Sequence, residues 1–165
     1  MRAIAFLLVV PGLLSGCYSF SARTSTHIRS VGVPFFENKT DRFGLEGRVT
    51  EAVARGFLED GDLRVVDERE ADSALRGVLT GYEHKAAVFN QLEQVTTMRV
   101  TITADISYRD QTKGAVIWEQ KGLSAWGQYS LVASEAQAAQ TEDDGEREAI
   151  QRLVQEVLAR SIETW

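Results

Sequence analysis

Cys17 ends the run Leu14-Ser15-Gly16-Cys17 and is the only cysteine in the chain. Its neighbours prescribe a covalent chemistry. Arg2 supplies a positive start and Ala3 to Leu14 an apolar stretch of signal-peptide length. Ser15 and Gly16 are the small residues that a signal peptidase needs just before its cut. The expectation is removal of residues 1–16 and thioether lipidation of Cys17, with acyl chains that anchor by about 0.8 kcal/mol per buried CH₂. So short an apolar stretch does not cross a ~30 Å hydrocarbon core as a helix. A lone cysteine also rules out a disulfide framework. Tyr18 rather than Asp follows it, which by the sorting pattern of diderm bacteria sends the protein to the outer membrane, its body in the periplasm.

Other reactive residues assemble into no catalytic or metal pattern. His27 and His84 are isolated, with no H-x-x-H or H-E-x-x-H spacing, so neither a metal nor a cofactor is expected. Gly122-Leu123-Ser124-Ala125-Trp126-Gly127 resembles a nucleophile elbow only until Trp126, which stands where G-x-S-x-G needs glycine; a strand is the better reading. Gly77 and Gly81 lack the Lys-Ser/Thr of a phosphate loop. The cluster Glu142, Asp143, Asp144 and Glu146 falls at a helix start, where the macrodipole alone accounts for it. No enzyme is expected. Trp118, Trp126 and Tyr129 share one strand, and Trp126 and Tyr129 border the following loop, making them candidate partner contacts.

The formal charge is −6, and −7 once Arg2 is removed, with no long run of Lys or Arg. That balance excludes general nucleic-acid binding and a polybasic membrane patch. About 150 mature residues suffice for one domain with a single core.

The elements that must position these residues follow from periodicity. Residues 17–27 read as a lipidated tether and residues 28–165 as the domain. Val31, Val33 and Phe35 alternate in a first strand over 30–36, with Pro34 tolerable at an edge or strand end. Leu45, Val49, Ala52, Val53, Gly56 and Phe57 have helical spacing, stopped at Asp60-Gly61; Gly56 invites close approach of another element. Leu63 to Val66 is a short strand and Leu75 to Tyr82 another. Met98, Val100, Ile102, Ala104, Ile106 and Tyr108 alternate with polar residues, giving one buried and one wet face. The wet face, Thr97 to Ser107 with Thr101 at its centre, is a candidate partner surface. A turn over 110–114 leads to a strand over 115–129, with a bulge near Lys121-Gly122. A helix from Thr141 closes the chain, with Ile150, Leu153, Val154, Val157, Leu158 and Ile162 as its apolar stripe, extended by Trp165. The fold expected is an α+β two-layer sandwich, two helices on one face of a mixed, largely antiparallel four-stranded sheet.

Laid out in order, the lipobox, Cys17-Tyr18-Ser19-Phe20, the strand Ser30 to Thr40 (S-V-G-V-P-F-F-E-N-K-T), and Ala71-Asp72-Ser73-Ala74-Leu75-Arg76-Gly77 resemble the LptE family of lipopolysaccharide-assembly lipoproteins. Val88-Phe89, the hairpin and the C-terminal amphipathic helix continue the resemblance over nearly the whole mature chain. It implies an outer-membrane lipoprotein that plugs an LptD β-barrel and supports lipopolysaccharide insertion in the outer leaflet, without catalysis. In that family basic residues near the strand-to-strand loops are thought to touch the lipid. Here Asn90 follows Val88-Phe89, and Ser130 to Gln140 holds no Lys or Arg. Lys85, Arg99 and Lys113 are then the candidate lipid contacts. The alternative is a lipoprotein that regulates a cell-wall synthase or builds a secretion pore, families with the same opening strand-helix-strand pattern. Those usually carry a long tether, whereas only a dozen residues follow Cys17 here before the first strand.

Overall fold

The computed structural model describes residues 27–133 and 138–162. The signal segment, Cys17, the tether up to residue 26 and Trp165 lie outside the described residues. Six strands and two helices form in the order β1 (Ser30–Gly32), β2 (Glu37–Asn38), α1 (Leu45–Asp60), β3 (Arg64–Val65), β4 (Ser73–Phe89), β5 (Val95–Asp110), β6 (Ala115–Ser130) and α2 (Glu142–Ile162). The sheet has six strands rather than four. It runs β3-β1-β4-β5-β6, with β2 also paired to β4.

Pro34 explains part of the difference. Lacking an N–H, it cannot continue a ladder, and of the expected strand over 30–36 only β1 forms, beside Ser73–Ala74 of β4, while β2 begins just past its end, beside Val78–Leu79. These pairings and β1 with β3 are parallel, while the long β4, β5 and β6 are antiparallel. The strand expected over 75–82 extends through Phe89. Its second half is exposed on both faces, so no hydrophobic alternation marks it.

Both helices pack on one face. Leu45, Val49, Val53 and Phe57 of α1 are buried, as are Ile150, Leu153, Val154 and Val157 of α2, in one cluster with Leu75, Leu79, Ile102, Ile106 and Tyr108 of the sheet. Gly61 (φ 82°) ends α1 in the left-handed region and donates its N–H to Phe57 O at 3.2 Å. Thr141 caps α2, its N–H and hydroxyl both donating to Asp144 at 2.8 and 2.9 Å. Two contacts set the helix layer. A Cβ on Gly56 would meet Val154 and Leu158 at 2.8 Å, so α1 lies as close to α2 as its sequence suggests. A Cβ on Gly127 would lie 2.0 Å from Gly145 O, so the first turn of α2 rests on bare backbone of β6.

Candidate partner and lipid interface

The inward side of β5 is Val100, Ile102, Ala104, Ile106 and Tyr108, all buried, so the other face of the sheet carries the intervening residues and no helix. Thr101 lies directly opposite Trp126 of β6, and Arg99 opposite Gln128. On this face the Arg99 guanidinium stacks on the Trp126 ring at 4.5 Å from its centroid. Arg152 of α2 reaches the same indole at 3.8 Å. Glu148, one turn before Arg152, pairs with it and accepts the Gln128 N–H at 2.8 Å. The half-exposed indole therefore holds two guanidiniums at the edge of the sheet; Arg152 is also paired with Glu148, while the cation–π stack leaves the Arg99 N–H groups available to an anion. Among the described residues no carboxylate pairs with Arg99.

The structure brings several of the candidate residues together. Lys85 of β4 is directly opposite Arg99, with its ammonium 2.7 Å from Glu83. Thr101, Trp126, Arg99 and Lys85 thus share the open face. Lys113 does not join them: it sits in the β5–β6 turn at the other end, where its N–H donates to Asp110 at 2.9 Å. Tyr129 also lies elsewhere, 5% exposed on the helix side with its hydroxyl on His84 at 2.5 Å, and burial raises its pKa. Ser124 is a strand residue whose hydroxyl lies 3.3 Å from that of Thr103.

Next to the basic row the β4–β5 hairpin overhangs the helix layer and carries exposed Val88, Phe89 and Leu92; Leu131 and Val132 follow β6 at the same end. Leu131 N–H donates to Thr96 O at 2.9 Å, which joins the two loops. Asn90 is occupied in the turn itself, accepting the N–H groups of Leu92 and Gln94 at 2.9 and 3.0 Å.

A second constellation escaped the sequence reading. Glu146, only 1% exposed, accepts Arg42 Nε at 2.9 Å and Arg48 Nη1 at 2.6 Å. Tyr82 donates its hydroxyl to Glu142 at 2.7 Å, and burial followed by the neighbouring carboxylates raises its pKa far above the ordinary phenol value. The macrodipole accounts for Glu142, Asp143 and Asp144 in the first turn of α2. It does not account for Glu146, which locks that turn to the loop before α1. No local signal separates Glu146 from its acidic neighbours, because its partners are some hundred residues away.

A family model described as “LptE: Lipopolysaccharide-assembly” matches residues 28–162. No match was found among curated protein sequences. Among solved structures, protein XCC0632 from Xanthomonas campestris is 13% identical with TM-score 0.59, covering 82% of this chain and 84% of its own. The PelC dodecamer from Paraburkholderia phytofirmans is 16% identical with TM-score 0.51, covering 81% and 86%. Lipoprotein B from Nitrosomonas europaea is 13% identical with TM-score 0.51, covering 83% and 86%. At these identities the likeness is one of fold.

Proposed function

Because this chain belongs to the LptE lipopolysaccharide-assembly family, we propose that it is an outer-membrane lipoprotein, anchored through Cys17, that occupies the lumen of an LptD-like β-barrel and helps pass lipopolysaccharide to the outer leaflet. The family match over residues 28–162 carries this reading. The open sheet face suits it. A barrel lumen is polar, and Thr101, Thr103, Asp105 and Ser124 offer hydroxyls and a carboxylate to such a wall rather than a greasy patch. No step of the role requires a covalent reaction, and the protein is a scaffold rather than an enzyme.

Direct contact with the lipid falls, on this reading, to the row Lys85–Arg99 and the Trp126 stack, because the hairpin loop carries Asn90 in place of a basic residue. Phosphate groups would meet the guanidiniums, while acyl chains would lie toward Val88, Phe89 and Leu92.

Affinity purification of the full chain in mild detergent, with mass spectrometry of stoichiometric partners, tests the plug. A large outer-membrane barrel is expected; a cell-wall synthase or a ring of this chain, with no barrel, overturns the reading in favour of the regulatory alternative. Arg99→Glu should cut co-purified lipopolysaccharide several-fold while Lys113→Glu leaves it unchanged. Equal loss in both variants would dismiss the stacked site.

A further inference from the structure

β4 has neighbours along its whole length on the β5 side only. On the other side β1 pairs at Ser73–Ala74 and β2 at Val78–Leu79, and among the described residues no strand follows. On the opposite margin only the end of β6 is capped, where Glu148 accepts the Gln128 N–H and the Gln140 side chain the Ser130 N–H; among the described residues no strand lies beyond β6 either. An uncovered edge is a template for another strand. Here it is bounded by irregularities between Leu79 and Gly81 and between Ala86 and Val88, with a regular run between them.

Charge decides what strand fits. Glu83 and Lys85 are both exposed on the open face, with His84 between them turned to the helix side. A two-fold axis normal to the sheet, which keeps the helices of both copies on one side, can pass through any of these three residues. Through Glu83 it sets glutamate against glutamate, and through Lys85 lysine against lysine. Through His84 it sets each Glu83 opposite Lys85 of the second copy, twice over. Opposite charges stabilise directly facing pairs and like charges destabilise them.

We propose that the free edge of β4 is a self-association surface: with no barrel partner present, two copies of this chain pair antiparallel through Tyr82–Ala86 about an axis at His84. The pairing is independent of the plug reading. It also gives a place to exposed apolar groups, since the antiparallel arrangement brings the hairpin end of one copy, with Val88 and Phe89, toward the loop before α1 of the other, where Phe43 is 95% exposed.

Sedimentation equilibrium of the purified full chain, in density-matched detergent and free of any barrel, tests it. A concentration-dependent dimer is expected. Glu83→Lys and Lys85→Glu should each weaken it about ten-fold or more, and the combined exchange Glu83→Lys/Lys85→Glu should restore it. Unchanged circular dichroism and melting temperature show that the variants fold. A monomer at every concentration up to about 100 μM, a range in which even weak specific pairs associate, overturns the proposal. So does a dimer that ignores the single charge changes or is not restored by the exchange. Recovery of a barrel in the affinity purification is read separately and bears only on the plug.

Discussion

Glu146 is the residue on which the helix layer is keyed. Its carboxylate is almost fully buried between Arg42 and Arg48, and breaking a buried pair leaves charge without compensation. Glu146→Ala should cost about 3 kcal/mol, read as a lower denaturant midpoint at unchanged slope; a loss below about 1 kcal/mol would reduce the pair to a surface ornament. Two further groups set the acid side of stability. Burial pushes the Asp110 carboxyl up, but hydrogen bonds from Lys113 N–H and His27 outweigh it and hold the pKa below the ordinary value. Asp72 is lowered by the N–H of Arg29 and the hydroxyl of Ser30. Their folded values lie below the unfolded ones, so their stabilisation is full above about pH 4 and fades as pH falls through the lowered values. Asp110→Asn should flatten that acid limb in a series of melts. The alkaline side has the opposite sign: burial pushes Tyr108 up to about 12, and Tyr82 and Tyr129 are also raised. A phenol raised in the fold stabilises below pH ~10 and loses that contribution as pH rises through the folded value. Ultraviolet titration should therefore show Tyr82, Tyr108 and Tyr129 ionising at higher pH in the folded protein than after denaturation. At this scale the sequence shows residue types and no distances: Arg99 and Trp126 could each be singled out, but the Arg152 stack depends on a helix reaching around the sheet edge.

Elements were more legible, because periodicity is a local property. The unbroken alternation through Met98 to Tyr108 became the centre of β5, the helical spacing of Val49, Val53 and Phe57 became α1, and Lys121-Gly122 is indeed irregular, with Gly122 at φ 64°. Where an element is exposed on both faces or held by a partner far along the chain, the signal vanishes. The outer half of β4 and the two-residue strand β2 show this, whereas β3 falls inside the short strand expected over Leu63 to Val66. Glycines test how tightly the layers are joined. Gly127→Ala places a Cβ 2.0 Å from Gly145 O and 2.7 Å from Ala149 N, both backbone atoms that cannot rotate away. The first turn of α2 must then lift from β6, and a loss of about 3 kcal/mol or more is expected, on the order of severe overpacking. Gly47→Ala is the contrast. It lies within α1, meets only the Phe35 ring at 3.7 Å and should stabilise by about 0.5–1 kcal/mol through helix propensity. Thermal melts of the two variants moving in the same direction would contradict this account of the layer.

The whole molecule has two unlike ends, and the plug reading gives each a side of the membrane. His27 is pinned to Asp110 at 2.7 Å, so the chain enters the domain beside the β5–β6 turn. The ten residues from Tyr18 to His27 span at most about 35 Å, which on the proposed anchoring through Cys17 would keep that end near the leaflet that holds the lipid. The apolar hairpin lies at the far end of β4, whose 17 residues extend about 55 Å at ~3.3 Å each. A body of that length standing in a barrel lumen exceeds the ~25 Å height of the barrel's apolar band. Its tip must therefore approach the cell surface while the turn at Lys113 remains at the periplasmic side. On the proposed lipidation of Cys17, cysteines introduced at Leu92 and Lys113 would be the only free thiols. A membrane-impermeant thiol reagent applied to intact cells should label Leu92→Cys several-fold more than Lys113→Cys, and the difference should disappear after the outer membrane is permeabilised. Protection of both positions until permeabilisation would put the whole domain in the periplasm, where a regulatory lipoprotein belongs and a plug does not.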